Sequence, residues 1–519
     1  MAATDILIGY AVSASIFYVI VSVSYRLLLH PLRKYPGPFI AKLSDAYEGY
    51  FAAARRLHLK TYQDHIKYGP IVRHGPNKLL FNSVTALRDI YQNDRVVKAS
   101  IYRASQVQPD KYNVFNSRDK SIHRTKRRLV GQALSDHSLR QFEPTLLEEV
   151  DKFLNVLLRA SKNSSPVNMT PTSRHLGLDA IGQLGFGYDL KMQSEEENRF
   201  LMNGLVLAGM RINTCMSFPL LIHLRLDLLA SLIPNSIRTR LLAVVEKMIA
   251  TRLAQPVDAK HDLLSFIVPK LETDFKDVKK GDLWPEAVFF FGAGGDTTAT
   301  AMAGAFFYLS RNLDCYEKLA AEVRSTFASA DEIRSGRQLA SCRYLRACID
   351  EALRMSSPVS ATPWREKDPK DEQSQPLVID GQTIPQGTLV GVNIYSLHHN
   401  EEYFPNPFKY QPGRWLVEDH NAKAAFNPFS TGPRVCAGKS LAYTELSLVL
   451  AKTLWYFDFE PAPGQLGKIG EGTRGRTDGR GRKDEFQLYD IFGSYHDGPY
   501  LVFRSRAQYH QELDTNGFN

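Results

Sequence analysis

The chain has 519 residues, is 44% hydrophobic and 23% charged, and carries a net charge of +9 at neutral pH. That composition excludes a disordered or fibrous protein and supplies ample apolar matter for a large core, while five cysteines, an odd and sparse set, exclude a disulfide framework. The basic balance suits an anionic membrane surface or an acidic protein partner; nucleic acid is not expected, since neither zinc-finger spacing nor a basic region followed by heptads occurs.

Residues 6–25, ILIGYAVSASIFYVIVSVSY, contain no charge and are long enough to cross a bilayer as one helix. Asp5 precedes this run where a cleaved signal would be basic, so a retained anchor over residues 1–29 is expected. Arg26, His30, Arg33 and Lys34 follow it, and positive charge on that flank places the body on the cytoplasmic side. Residues 30–38 hold His30-Pro31 and Tyr35-Pro36-Gly37-Pro38, a stiff hinge in which proline forbids helix. No composition shift divides residues 39–519 before about Gly464, so they are read as one body.

Within it, Ile71-Val72-Arg73-His74 and residues 78–82 flank Gly75-Pro76-Asn77 and predict a small hairpin. His123-Arg-Thr-Lys-Arg127-Arg128 is a basic cluster that by itself reads as a solvated face. Residues 283–309 form an apolar stretch predicting a central helix of about 40 Å. It contains Ala293-Gly-Gly-Asp-Thr-Thr298. Two glycines inside a helix cost about 1 kcal/mol each relative to alanine, which points to a flat object passing close by or to a groove. Asp296 in such surroundings needs a partner. Around Glu351 and Arg354, the residues Leu345, Cys348, Ile349, Ala352 and Leu353 form an apolar helical stripe with the charged pair off it at i and i+3. A second strand region is expected over residues 377–380 and 388–395. The segment Phe429-Ser-Thr-Gly-Pro-Arg-Val-Cys-Ala-Gly438 sets a cysteine among glycines just before an apolar helix. Helix-start N–H groups there would stabilise a thiolate, although a buried free cysteine is an equal reading of the spacing. Residues 464–483, rich in Gly, Arg and Lys, read as a long exposed loop. Elsewhere helical periodicity dominates, giving a mainly α class with a minor β part.

The pattern Phe429-x-x-Gly432-x-Arg434-x-Cys436-x-Gly438 resembles the haem-binding loop of the cytochrome P-450 superfamily. The other motifs recur in the family's order, so the resemblance spans essentially the whole chain and is nearest to microsomal members and to fungal members of secondary metabolism. It implies the cytochrome P-450 fold behind one transmembrane helix, with residues 39–519 as the catalytic domain. Haem b (iron protoporphyrin IX) is the implied cofactor, with Cys436 as axial iron ligand. Glu351 and Arg354, joined by Arg414 of Pro412-Gly413-Arg414-Trp415, match a buried structural triad; Gly413 departs from a position that is often acidic. His123, where the family often has tryptophan, Arg127 and Arg365 match contacts to the haem propionates, which converging cations suit. Asp296 and Thr297 match the acid–alcohol pair that delivers protons to bound dioxygen.

The implied reaction inserts one oxygen atom of O2 into an apolar or aromatic small molecule. Candidate pocket residues are Tyr102, Phe289, Phe290, Ala293, Val359, Ala361 and residues 492–495. No HExxH, nucleophile elbow or P-loop occurs, and no flavin or nicotinamide site is evident. Electrons must then come from another protein, implied to be an NADPH-cytochrome reductase docking on a basic face near Lys120, Arg124, Lys126, Arg128 and Lys439. The implied setting is the endoplasmic reticulum membrane, single-pass. Oxidative phenol coupling, or aromatic or xenobiotic hydroxylation, is an alternative use of the same haem. A dioxygen-independent isomerase or dehydratase is disfavoured by the intact Asp296 and Thr297. A non-catalytic haem sensor or electron carrier is disfavoured by the large body and long central helix.

Overall fold

The apolar stretch expected at the centre of the chain is a helix of 29 residues, Leu283–Arg311, in a computed structural model that describes residues 2–224, 237–273, 283–373 and 375–506. Its second half is enclosed on every side: Ala299, Met302, Ala303, Phe306, Phe307, Tyr308 and Leu309 are all buried. The helices Asp136–Lys162, Met169–Phe186, Leu313–Thr326, Arg343–Met355 and Lys439–Tyr456 contribute to the same core.

Gly294 and Gly295 serve this packing. A Cβ on Gly294 would meet the side chain of Ile181 at 2.7 Å, and one on Gly295 would meet Leu178 at 2.7 Å. A Cβ on Gly177 would in turn collide with the Gly295 carbonyl. Backbone lies on backbone between Met169–Phe186 and the central helix. The flat object that these two glycines admit is therefore a neighbouring helix.

The minor β part is a five-stranded sheet in the order Ile71–Gly75, Lys78–Phe81, Leu389–Val392, Arg365–Lys367 and Val96–Lys98. The first two form the expected hairpin. Two-stranded and three-stranded sheets accompany it, and Gln382–Ile384 adds a strand that the pattern did not announce. The second expected strand ends at Val392 because Asn393 caps a short helix, Ile394–His398, by accepting from the Ser396 N–H at 2.9 Å. The glycine-rich loop over residues 464–483 is docked, contrary to expectation. Arg480 is buried and donates to the carbonyls of Leu488 and Arg55 at 3.1 and 3.2 Å, and Arg311 pairs with Glu471 at 3.2 Å.

At the N-terminus the helix Ala2–Ser24 runs into a π-helical turn, Tyr25–Leu29. The span Thr4–Leu29, 26 residues containing an 18-residue stretch of mean hydropathy 2.2, is a candidate membrane crossing by length and composition, and none of it is buried. The proline segment behind it is clamped to the hairpin. Arg73, fully buried, donates to the Arg26 carbonyl at 3.0 Å and the Pro76 carbonyl at 2.9 Å, and His30 bonds Asn77 at 2.9 Å.

Glu351 and Arg354 are both buried, so they are no surface pair. Arg354 grips Glu351 through two bonds at 2.9 and 3.0 Å. Arg414, Trp415 Nε1 and the Gln411 N–H donate to the same carboxylate at 3.1, 3.0 and 3.0 Å. Arg354 also donates to the carbonyls of His398 and Pro407, both at 2.8 Å. His398 faces the Arg354 carbonyl through Nδ1 at 3.2 Å and the Asn427 N–H through Nε2 at 2.9 Å. This arrangement requires the neutral Nδ1–H tautomer. Burial and then Arg354 hold the imidazole down to about 3, which keeps it neutral. The ion pair thereby reaches, through one histidine, the segment that leads into Phe429–Gly438.

Two outcomes follow from this packing. Gly177→Leu forces two helix backbones apart and is expected to cost about 1–3 kcal/mol or more, read as a lower midpoint in chemical denaturation. Glu351→Ala strands a buried guanidinium at an expected cost of about 3–5 kcal/mol, read as loss of soluble, folded protein, whereas the exposed Glu196→Ala stays near the parent.

Candidate active site

Cys436 sits on a loop whose shape its glycines and hydrogen bonds dictate. Gly432 has φ +71°, and a Cβ there would strike the carbonyl of Tyr91, so only glycine fits. The Val435 N–H closes a turn on the Gly432 carbonyl at 3.1 Å, and the Cys436 N–H bonds the Phe429 carbonyl at 2.8 Å. Gly438 then opens the helix Lys439–Tyr456. The thiol is surface-accessible, yet enough protein surrounds it that burial pushes its pKa up. Those two facts together describe a group on the wall of a hollow. The Gly438 N–H, Arg127 and Lys439 act in the opposite direction and favour the thiolate. The Phe429 ring packs at 5.1 Å on Tyr443, holding the loop's entry against the helix.

Around the same hollow gather His123, Arg127, Arg365 and Arg434, and a fifth group that motif reading missed, Lys98. Lys98 and Arg365 are directly opposed across adjacent antiparallel strands, an arrangement that puts both side chains on one face and that repulsion opposes. Lys98 is buried with its ammonium over the rings of Phe115 and Tyr102, at 3.7 and 4.4 Å. Burial and then Arg365 and Arg434 lower its pKa well below the usual lysine range. Burial and the charges of Arg434, Lys98, Arg127 and Arg365 hold His123 down to about 3. Burial, then Arg365, brings Arg434 down to about 10. Arg434 donates to the Ser117 carbonyl at 2.7 Å and Arg365 to the carbonyls of Pro363 and Trp364. Among the described residues none of these five groups has a carboxylate partner within 4.0 Å. A set of basic groups, buried or half-buried and gathered about a thiol, fits one kind of guest: a flat group whose metal takes a sulfur ligand and whose rim carries two carboxylates.

Above this lies an aromatic wall. Phe289 on the central helix stacks on Phe115 at 5.0 Å, and Phe115 meets Tyr102 and Phe492 edge-on, each at 5.3 Å. Phe289, Ala293 and Thr297 recur every fourth residue on one helix face and are all half-buried. Tyr102 is buried, its ring against Phe115. Phe290 touches Phe289 at 5.7 Å but packs against the main core. Val359 is half-buried, next to Pro358, whose carbonyl accepts from Ser494 at 2.9 Å; Ala361 is buried and accepts from the Ile394 N–H.

Asp296 and Thr297 do not bond each other. Thr297 Oγ1 donates to the Ala293 carbonyl one turn back at 2.7 Å. Asp296 turns to a neighbouring helix and pairs with Arg174 Nε at 2.8 Å; burial raises its pKa and Arg174 opposes this. Its backbone carbonyl accepts from Thr300 Oγ1 at 2.9 Å, and His496 joins Thr300 to Thr170 at 3.1 and 2.7 Å. Arg174 was the partner that Asp296 required. Its helix also carries His175, Asp179 and Gln183, so nothing local in the sequence marked it. Of the expected basic face, Arg124, Arg128 and Lys439 are exposed. Lys126 is buried and paired with Glu286 at 2.9 Å, which withdraws it from that face, while Lys120 stays exposed although it pairs with Asp368 at 2.7 Å.

The family model described as Cytochrome P450 matches residues 48–473. The chain is 36% identical over 506 residues to cytochrome P450 monooxygenase AKT7 of Alternaria alternata, covering 94% of this chain and 95% of that one. It is 35% identical to cytochrome P450 monooxygenase apf7 of Gibberella fujikuroi, covering 93% and 95%, and 34% identical to cytochrome P450 monooxygenase poxM of Penicillium oxalicum, covering 96% and 95%. The thiol among basic groups, the matched model and the near full-length likeness to monooxygenases agree: this chain belongs to the cytochrome P450 family and is a haem-dependent monooxygenase.

Proposed function

We propose that the enzyme serves fungal secondary metabolism, inserting one oxygen atom of O2 into an apolar or aromatic small molecule held against Phe289, Phe115 and Tyr102. The aromatic wall on the same helix face as Thr297 carries this reading. It offers stacking and apolar contact and no charged side chain of its own, and it places a bound molecule beside the threonine hydroxyl. The organisms of the similar monooxygenases support the fungal setting.

Haem b, when bound, supplies the activation of dioxygen, a chemistry that no side chain offers. Cys436 Sγ would hold its iron. The Gly438 N–H, Arg127 and Lys439 bias it toward the thiolate. His123, Arg127, Arg365 and Arg434 hold the propionates, and Lys98 shares that load from the strand opposite Arg365. Thr297 Oγ1 already gives its proton to the Ala293 carbonyl, so its lone pairs accept a hydrogen bond and fix a water on the pocket side. Asp296, paired with Arg174 on another surface of the helix, would pass a proton to that water only on leaving this pair. Tyr102, Phe115, Phe289 and Phe492 exclude bulk water from the reacting region. An NADPH-cytochrome reductase docks on the exposed Arg124, Arg128 and Lys439. Residues 1–29 cross the endoplasmic reticulum membrane once and the body, residues 39–519, faces the cytoplasm, in keeping with the uncharged helix and its basic flank.

Two measurements test the chemistry. Cys436→Ser is expected to abolish the red-shifted thiolate band of the reduced, carbon-monoxide-bound protein; a mutant that keeps the band places the ligand elsewhere. Thr297→Ala is expected to bind haem and consume NADPH while its yield of product per NADPH falls roughly tenfold or more, within the span of a lost general acid, with hydrogen peroxide released instead. An unchanged yield would leave Thr297 a helix-bonding residue alone.

A further inference from the structure

Phe492 stands at the tip of the hairpin formed by Tyr489–Ile491 and Gly493–Tyr495, and its backbone has φ +77°. A bulky side chain in that region is an outlier that persists only where its surroundings impose it. The surroundings here are specific. The buried Asp490 carboxylate accepts the Phe492 N–H through Oδ1 at 3.0 Å, closing a turn two residues long. Asn213, buried on the helix Phe200–Ser217, donates through Nδ2 to the Asp490 carbonyl and to the same Oδ1, each at 3.2 Å. One turn earlier on that helix, Gly209 lies so close to the hairpin that a Cβ would come within 2.7 Å of the Ile491 carbonyl. The Asp490 N–H is itself fixed on the Arg55 carbonyl at 3.0 Å. The turn is thus held from two sides, and the ring it presents meets Phe115 at 5.3 Å.

We infer that Asp490 and Asn213 are positioning residues: together they hold Phe492 in its left-handed conformation and so set the aromatic wall that selects among substrates. This rests on the proposal that Phe289, Phe115 and Phe492 line the substrate pocket. The carboxylate touches no substrate; it acts through one N–H. The coupling also runs outward, because any shift of the helix Phe200–Ser217 along its axis pulls on Asp490 and moves the ring.

The test uses the haem-loaded, full-length enzyme and two probes that ligate iron through the same nitrogen, imidazole and 1-phenylimidazole, followed by the shift of the main haem absorption band. Imidazole reads access to the iron alone, and the preference for the phenyl compound reads the aromatic wall. Phe492→Ala is expected to lower that preference about three- to tenfold, the span of a lost aromatic pair. Asp490→Ala is expected to lower it comparably, with imidazole affinity and the thiolate band unchanged. Asp490→Asn keeps an oxygen acceptor in place and is expected to stay within about twofold of the parent. If Phe492→Ala lowers the preference and Asp490→Ala does not, the positioning role is overturned and the pocket stands. If Phe492→Ala leaves it unchanged, the pocket reading itself falls, and the inference with it. Should Asp490→Ala fail to take up haem, Asn213→Ala carries the test: a lowered preference supports the role, and an unchanged one overturns it.

Discussion

Glu351 is a buried carboxylate that accepts hydrogen bonds from Arg354, Arg414, Trp415 and a backbone N–H. Removing such a charge from water is costly, and only complete satisfaction of its lone pairs makes the burial tolerable. Complete satisfaction is also what makes it an organiser. Its donors come from two stretches of chain, so the carboxylate can be satisfied only when the helix Arg343–Met355 and the segment from Gln411 through Pro412–Leu416 are both in place. Arg354 extends the constraint to His398, and His398 extends it to Asn427, two residues before the loop of Cys436 begins. The position of the thiol is therefore inherited from an ion pair that makes no contact with it.

The central helix shows how the same chain segment meets two opposing demands. One side must be smooth enough for another helix to lie against its backbone, which Gly294 and Gly295 allow. The side bearing Phe289, Ala293 and Thr297 must stay open. Asp296 falls between these faces and is drawn to Arg174, so the acid and the alcohol, adjacent in sequence, serve different surfaces of the helix.

Much of this was legible before any coordinates. The hairpin could be read from Gly75-Pro76-Asn77 between apolar runs, the central helix from its length, and the cysteine loop from its resemblance to a haem-binding pattern, its spacing alone suiting a buried free cysteine equally. What was hidden depended on partners distant in sequence. Lys98 carries no local mark; it gains meaning only from its pairing with Arg365, more than two hundred residues away. Phe115 and Arg174 are similar cases. The glycines of the central helix were visible, but whether they admit a ligand or a helix is decided by what packs there. The loop over residues 464–483 misled because its composition is that of a solvated segment, whereas Arg480 buries its guanidinium among carbonyl acceptors.

The cations around Cys436 have a consequence for the life of the protein as well as its chemistry. Lys98, Arg127, Arg365 and Arg434 are mutually repulsive groups partly removed from water, and a dianionic guest relieves that repulsion. A ligand that binds only the folded chain stabilises it by mass action, by about 1.4 kcal/mol for every tenfold rise in its free concentration above the dissociation constant. The lifetime of the folded chain in the cell is thus tied to cofactor supply. A cell short of haem would accumulate few dormant copies of this enzyme, because unfilled chains are the ones that quality control removes first.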